Sequence, residues 1–218
     1  NGDTANHIKV RVLPITKVPS SVDMDASTAV RLVAIKGAKK RVYISQQSLD
    51  SVQSKFTSVA GIKDRFYDEM VDAVATALQN GAEVKIMTSS PVGLIDQIEA
   101  GISNVAPVFL DKFFNTYNSS QPASFFRNKV IAKMKQNGVS TNNLDLQFVQ
   151  KHPSYDGKEP WFQHDKFWLA DDVFYIGSHN LYDCNLSEFG HIIEGEEAIQ
   201  YILNNYWNEK WEKAALPK

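Results

Sequence analysis

Residues 163–194 read QHDKFWLADDVFYIGSHNLYDCNLSEFGHIIE, a segment in which β-branched and aromatic runs are separated by short polar groups. Runs of this composition are typical of strands, and the Asp171-Asp172 pair between two of them is typical of a tight turn. The segment therefore predicts three closely spaced strands, at residues 162–169, 173–176 and 190–194.

Outside this segment the hydrophobic period changes repeatedly between that of a strand and that of a helix, which indicates a mixed α/β fold. Pro14 and Pro19 are expected to interrupt the first strand. Further strands are predicted at 8–13, 41–45, 83–88 and 144–149, and helices at 27–40, 64–80, 108–117, 124–136 and 196–213. We expect one domain over residues 1–218, a mixed β-sheet with helices on both faces, in which residues 1–26 form an opening strand and a connecting segment.

The composition is that of an ordinary globular protein. Of the 218 residues, 43% are hydrophobic and 22% are charged, and the 23 basic and 25 acidic side chains give a net charge of -2. This balance lacks the excess of positive charge typical of a dedicated nucleic-acid-binding protein, so a nucleic-acid partner is not expected. Cys184 is the single cysteine, which excludes an internal disulfide.

Four polar side chains within residues 163–194 carry the chemistry. Side chains two residues apart on a strand point to the same face, so His164 and Lys166 are expected to converge. Ser178 and Asn180 have the same spacing where the next strand returns beside the first. An imidazole, an ammonium, a hydroxyl and an amide at one place supply a proton donor, a cation for phosphoryl oxygens and neutral hydrogen-bond donors. A phosphodiester site needs these groups.

The spacing of these residues resembles the signature of the phospholipase D superfamily, which is His-x-Lys, four residues, Asp, and then Gly-Ser-x-Asn. The residues that fill it are His164, Lys166, Asp171, Gly177, Ser178 and Asn180. Flanking phrases are similar to the C-terminal half of secreted bacterial phospholipases D of the Streptomyces type. These phrases are VYISQQSLD at 42–50, FYIGSHNLY at 174–182, EFGHIIEGEEA at 188–198 and YWNEKW at 206–211.

The resemblance implies an α-β-α sandwich that forms one lobe of a pseudo-twofold pair, with one catalytic histidine from each lobe. One histidine attacks phosphorus and forms a phosphohistidine, while the other protonates the leaving alcohol and then activates water. His164 would be the proton-transferring histidine, and Glu188 would orient its ring where close relatives carry Asp. Lys166 and Asn180 would bind the phosphoryl oxygens, so that no metal or cofactor is needed.

Other positions complete the site that the resemblance implies. Five residues, one fewer than is usual in the family, separate Asp171 from Gly177, so Asp171 or Asp172 takes the structural aspartate position. Ser178 is a further substrate-binding candidate, and Gln47 is another at the edge of the site. The aromatic residues within 109–126 would line a lipid-binding mouth or, at their helical spacing, belong to the core.

The implied function is that of a secreted phospholipase D, which converts phosphatidylcholine to phosphatidate and choline or transfers the phosphatidyl group to another alcohol. Because the chain carries a single complete motif, activity would require a second one. That motif would come from an N-terminal half, as a separate chain or segment, or from a second copy of this chain, and a phospholipid membrane or micelle would present the substrate. The alternatives are a homodimeric nuclease-like phosphodiesterase and a non-catalytic module with the same fold.

Overall fold

The computed structural model describes residues 8–17, 26–46, 49, 65–89, 125–149, 152–153, 160–161, 164–179, 181 and 187–213. Its helices are α1 (Ala26–Gly37), α2 (Arg65–Gln79), α3 (Phe125–Gln136) and α4 (Glu196–Ile202). Helix α4 continues through a π-helical segment, Leu203–Trp207, into α5, Asn208–Lys213. The strands are β1 (Arg11–Lys17), β2 (Arg41–Gln46), β3 (Glu83–Ser89), β4 (Leu144–Val149), β5 (His152–Pro153), β6 (Pro160–Trp161), β7 (Lys166–Ala170), β8 (Val173–Gly177) and β9 (Glu188–Glu194).

Seven of these strands form one mixed sheet in the described part of the chain, in the order β1-β9-β8-β7-β2-β3-β4. Strands β2, β3 and β4 are parallel, as expected for strands connected through the crossover helices α2 and α3. The remaining neighbours are antiparallel, and the two-residue turn Asp171-Asp172 joins β7 to β8. The hairpin therefore places the two strands that carry the signature side by side.

Helix α2 illustrates how the sequence determines an element. Its apolar residues recur every three or four positions, so that Met70, Val74 and Leu78 share one face and are buried. Just beyond the helix, Gly81 adopts a φ of 92°, a left-handed conformation that glycine reaches without a steric penalty. The chain then turns directly into β3.

Helices cover both faces of the sheet. On one face α1, α2 and α3 pack around a core that includes Ile35, Val74 and Ile86. On the other face the C-terminal helices bury Trp207, whose ring stacks on Tyr43 at a centroid separation of 4.8 Å. The predicted fold class, a mixed sheet with helices on both faces, is confirmed.

Several predicted boundaries were wrong. The strand predicted at 162–169 begins only at Lys166, so that His164 precedes it. Pro14 was expected to interrupt the first strand, but β1 runs through it to Lys17. At the edge of the described sheet β1 pairs with β9 alone, so half of its backbone groups have no ladder partner and a proline is tolerated. Strand β9 begins at Glu188, two residues before the predicted start, because Glu188 pairs with Lys17. The helix predicted at 108–117 lies outside the described residues.

Candidate active site

The ends of neighbouring strands bring the candidate residues to one edge of the sheet. Lys166, the first residue of β7, pairs with Gln46, the last residue of β2. Gly177, the last residue of β8, pairs with Gly190 of β9, and that strand begins two residues earlier at Glu188. Because strand ends that are in register share an edge, the His-x-Lys segment, the Gly-Ser turn and Glu188 all lie at this edge.

Lys166 is the first residue of β7, and His164 lies two residues before that strand. His164 is exposed, Lys166 is half-buried, and Lys166 Nζ donates a hydrogen bond of 3.0 Å to the His164 carbonyl oxygen. Partial burial lowers the pKa of His164, the Lys166 ammonium lowers it further, and the Asp165 carboxylate acts in the opposite direction. A cation beside an accessible imidazole is suited to holding phosphate oxygens while a proton is transferred.

Asp171, the first residue of the β7–β8 turn, holds the loop between α1 and β2. Its carboxylate accepts hydrogen bonds from the backbone N–H groups of Lys39, Lys40 and Arg41 at 2.8, 2.9 and 3.0 Å. Burial by itself raises the pKa of Asp171, but these three hydrogen bonds bring it below its ordinary value. Asp172 forms an exposed ion pair with Lys40 at 3.4 Å. Of the two aspartates, Asp171 is thus the one that supports the loop.

Ser178 closes the end of the β8–β9 ladder. Its Oγ accepts a hydrogen bond from the Phe189 N–H at 2.9 Å and donates one to the Phe189 carbonyl at 3.2 Å. The Ser178 N–H donates to the same carbonyl at 2.9 Å. Since a serine hydroxyl has a single proton, this geometry uses it to fix the turn. The substrate-binding role of Ser178 stays a prediction.

Next to the Gly177-Ser178 turn, the buried Tyr175 ring packs closely against Gly177 and Gly190. The Tyr175 hydroxyl accepts a hydrogen bond from the His179 N–H at 3.0 Å and is hydrogen-bonded to His179 Nδ1 at 2.8 Å. His179 is buried, and its Nε2 lies 3.5 Å from Ser27 Oγ of α1. A Cβ at Gly190 would lie 2.5 Å from Tyr175 Cζ, and one at Gly177 would lie 2.5 Å from Gly190 Cα. The close approach therefore requires glycine at both positions.

Comparisons with known proteins give one similar sequence and several similar folds. Over 191 residues the chain is 29% identical to a phospholipase D from Streptomyces antibioticus, and the match covers 84% of this chain and 32% of that protein. Its fold is similar to Nuc, a phospholipase D family member from Salmonella typhimurium, with a TM-score of 0.51, 16% identity and coverage of 96% of this chain and 99% of that one. The chain is thus similar in sequence to a phospholipase D and similar in fold to a phospholipase D family member. NucT from Helicobacter pylori is also similar in fold, with a TM-score of 0.55, 14% identity and coverage of 96% and 100%. No protein-family model matches the chain.

The structure describes only some of the remaining candidate residues. Asn180 and Gln47 lie outside the described residues, as do positions 109–124 of the aromatic segment. Phe126, at the end of that segment, belongs to α3 and is buried in the hydrophobic core. Glu188 is buried at the site edge, and its role in orienting His164 stays a prediction.

Two absences hold for the described ranges. Within them, no group of three or more His, Cys, Asp or Glu residues is placed to hold a metal ion. Nor is any helix of those ranges both long and apolar enough to cross a membrane.

Sequence reasoning missed Asp165, which lies between His164 and Lys166. Asp165 forms contacts with Tyr206 and Lys210 of the C-terminal helices. The YWNEKW phrase resembles the family and contains both partners, but nothing in its spacing relates it to Asp165.

Proposed function

We propose that this chain is one catalytic lobe of a phospholipase D that hydrolyses phosphatidylcholine-like lipids and transfers the phosphatidyl group to alcohols. The observation that carries the proposal is the position of His164 and Lys166 beside the Gly177-Ser178 turn, at one edge of the sheet. The similarity to the Streptomyces antibioticus phospholipase D supports the lipid substrate class.

The two motif residues have distinct roles in this proposal. Lys166 supplies positive charge to the non-bridging oxygens of the phosphodiester. His164 donates a proton to the choline oxygen as the P–O bond breaks, and its neutral imidazole then takes a proton from the water that attacks the phosphohistidine. A bound phosphodiester raises the pKa of His164 and so opposes the lowering by burial and by Lys166.

The nucleophilic histidine must come from a second motif. This chain covers 32% of the Streptomyces antibioticus phospholipase D, which leaves room in that protein for another lobe. We propose a complementary N-terminal lobe as the source, because the flanking phrases of this chain resemble the C-terminal half of such enzymes. A second copy of this chain is the alternative source. We also propose that the enzyme is secreted and acts at a membrane or micelle surface.

Phosphatidylcholine vesicles with and without ethanol test the proposed function. The active protein should release choline, and ethanol should divert the product from phosphatidate to phosphatidylethanol, because an alcohol competes with water for the phosphohistidine. A labelled oligonucleotide serves as the second substrate. Cleavage of the oligonucleotide without turnover of the lipid would contradict the lipid assignment, and turnover of neither substrate by the assembled protein would leave a non-catalytic module.

Glu188 is expected to orient His164, because it begins β9 at the site edge and close relatives carry a carboxylate there. Glu188→Gln keeps the shape of the side chain but removes the charge that stabilises the imidazolium form. Activity should fall roughly 10²-fold or more, as for a disturbed acid–base group. The limb of the pH–rate profile set by His164 should move to lower pH, since loss of a nearby negative charge lowers the pKa of an imidazole.

Glu188→Asp, the residue that the relatives carry, is the matched variant and should retain much more activity than Glu188→Gln. Circular dichroism should show that both variants fold. Parental rates with an unshifted pH profile in both would exclude Glu188 as the partner of His164.

A further inference from the structure

Asp165, between the two motif residues, is tied to the C-terminal helices. Its Oδ2 accepts hydrogen bonds from Ser45 Oγ of β2 at 3.0 Å, from the Tyr206 hydroxyl and from Lys210 Nζ. The Tyr206 hydroxyl also lies 3.2 Å from Ser45 Oγ. The Asp165 cluster consists of these four residues, Asp165, Ser45, Tyr206 and Lys210.

The Asp165 cluster holds an ionised carboxylate. Burial by itself raises the pKa of Asp165, but the Lys210 ammonium and the hydrogen bonds from Lys210, Tyr206 and Ser45 bring it below its ordinary value. Burial raises the pKa of Tyr206 and the Asp165 charge raises it further, so the hydroxyl stays protonated and donates. The Asp165 and Lys210 side chains are 28% and 25% exposed. Hydrogen bonds to a charged group in such surroundings are stronger than neutral ones.

Aromatic contacts fix the position of Tyr206 itself. Its ring centroid lies 5.1 Å from that of Phe167, and Lys210 Nζ lies 5.2 Å from the Tyr206 ring. Tyr206 belongs to the π-helical segment, a local widening of the helix that is frequently found at functional sites. The next residue, Trp207, is buried under the sheet and holds this segment in place.

The orientation of the Asp165 side chain restricts the orientations of the His164 and Lys166 side chains. Successive side chains of a strand point to opposite faces. In β7, Phe167 lies in the core beneath the C-terminal helices and Trp168 lies in the core beneath α1 and α2. Lys166 therefore shares the face of Trp168. Asp165, the residue before β7, contacts Tyr206 and Lys210 of the C-terminal helices and so lies on the side of Phe167. A carboxylate held by three donors on one face restrains the rotation of His164 and Lys166 about the strand axis.

We propose that the Asp165 cluster is a positioning device, through which Tyr206 and Lys210 set the orientation of His164 and Lys166. This inference rests on the proposed phosphodiesterase function. Removal of one donor should leave the helix docked through Trp207 but let the motif move. A displacement of about 1 Å at a reacting group lowers rates by about 10²-fold.

Tyr206→Phe and Lys210→Met in the active enzyme should lower kcat for phosphatidylcholine roughly 10-fold to 10²-fold, and Lys210→Arg should retain most of the activity. Tyr201→Phe and Lys36→Met are the matched controls, because both side chains are exposed and outside the cluster; they should run at the parental rate. The distinguishing readout is the leaving group. A misplaced His164 fails as an acid, so the loss should be much smaller in the first-turnover release of p-nitrophenol from a p-nitrophenyl ester, whereas simple unfolding would lower both rates equally.

Parental rates for Tyr206→Phe and Lys210→Met, or equal losses on the two substrates, would overturn the positioning role. Urea unfolding of each variant identifies any loss that comes from reduced stability, and Tyr206→Phe, which keeps the ring, remains informative if Lys210→Met does not fold. If His164→Ala abolishes turnover and the cluster variants do not, the proposed function stands and the positioning role fails. If His164→Ala remains active, the proposed function itself fails.

Discussion

Alanine in place of His164 in the active enzyme is expected to reduce phosphatidylcholine turnover by roughly 10²-fold to 10⁴-fold, the contribution of a positioned acid–base group. Choline is a poor leaving group, so its oxygen must be protonated as the P–O bond breaks. His164 is exposed, so its removal leaves no cavity in the core and the circular dichroism spectrum should be unchanged. An activated p-nitrophenyl ester needs less protonation, so the release of p-nitrophenol in the first turnover should be partly restored.

His191→Ala is the matched control for this substitution. His191 lies on β9 with its ring edge-on to Phe189 at a centroid distance of 4.8 Å. By strand alternation it points to the opposite face from Glu188. The His191→Ala enzyme should therefore turn over both esters at close to the parental rate. An equal loss on the two esters in His164→Ala would show that His164 is not the acid.

The isolated chain is expected to turn over phosphatidylcholine at a small fraction of the rate of the assembled enzyme. The physical reason is that it carries one motif, whereas attack on phosphorus and protonation of the leaving group require two separate groups. Native mass and activity are to be measured on the same sample, before and after addition of the complementary N-terminal lobe, which should restore turnover.

The outcomes of the complementation experiment are distinct. Restored activity in a complex of two different lobes supports the proposed pairing. A fully active homodimer would assign the second motif to another copy of this chain. Full turnover by a monomeric species would contradict the need for a second motif.

Hydrophobic periodicity predicted the elements whose side chains alternate between core and solvent. The strand at 144–149 has the predicted bounds, and α2 differs from its predicted bounds by one residue at each end. The prediction failed where pairing with a neighbouring strand determines the bounds of a strand. Pro14 is acceptable because β1 lies at the edge of the sheet that the described residues form, and β9 starts at Glu188 because β1 extends far enough to pair with it.

Local spacing also predicted the turn at Asp171-Asp172, while the shared face of His164 and Lys166 stays a prediction. It could not predict partners that are distant in sequence. Asp165 bonds to Tyr206 and Lys210, which are 41 and 45 residues away. Similarly, Gly190 must be glycine because Tyr175 lies over it, and that contact depends on the pairing of β8 with β9.

The central claim, that His164 transfers protons while a histidine of another lobe is the nucleophile, is tested most directly by trapping the covalent intermediate. The enzyme with His164→Ala is mixed with a phosphatidyl p-nitrophenyl ester, quenched in alkali, digested and analysed by mass spectrometry. The activated ester can still be attacked, but no base remains to activate water, so a phosphatidyl-histidine should accumulate on the complementary lobe. In the parent enzyme the adduct should be short-lived and confined to that lobe. A phosphatidyl adduct on His164 of the parent enzyme would contradict the account.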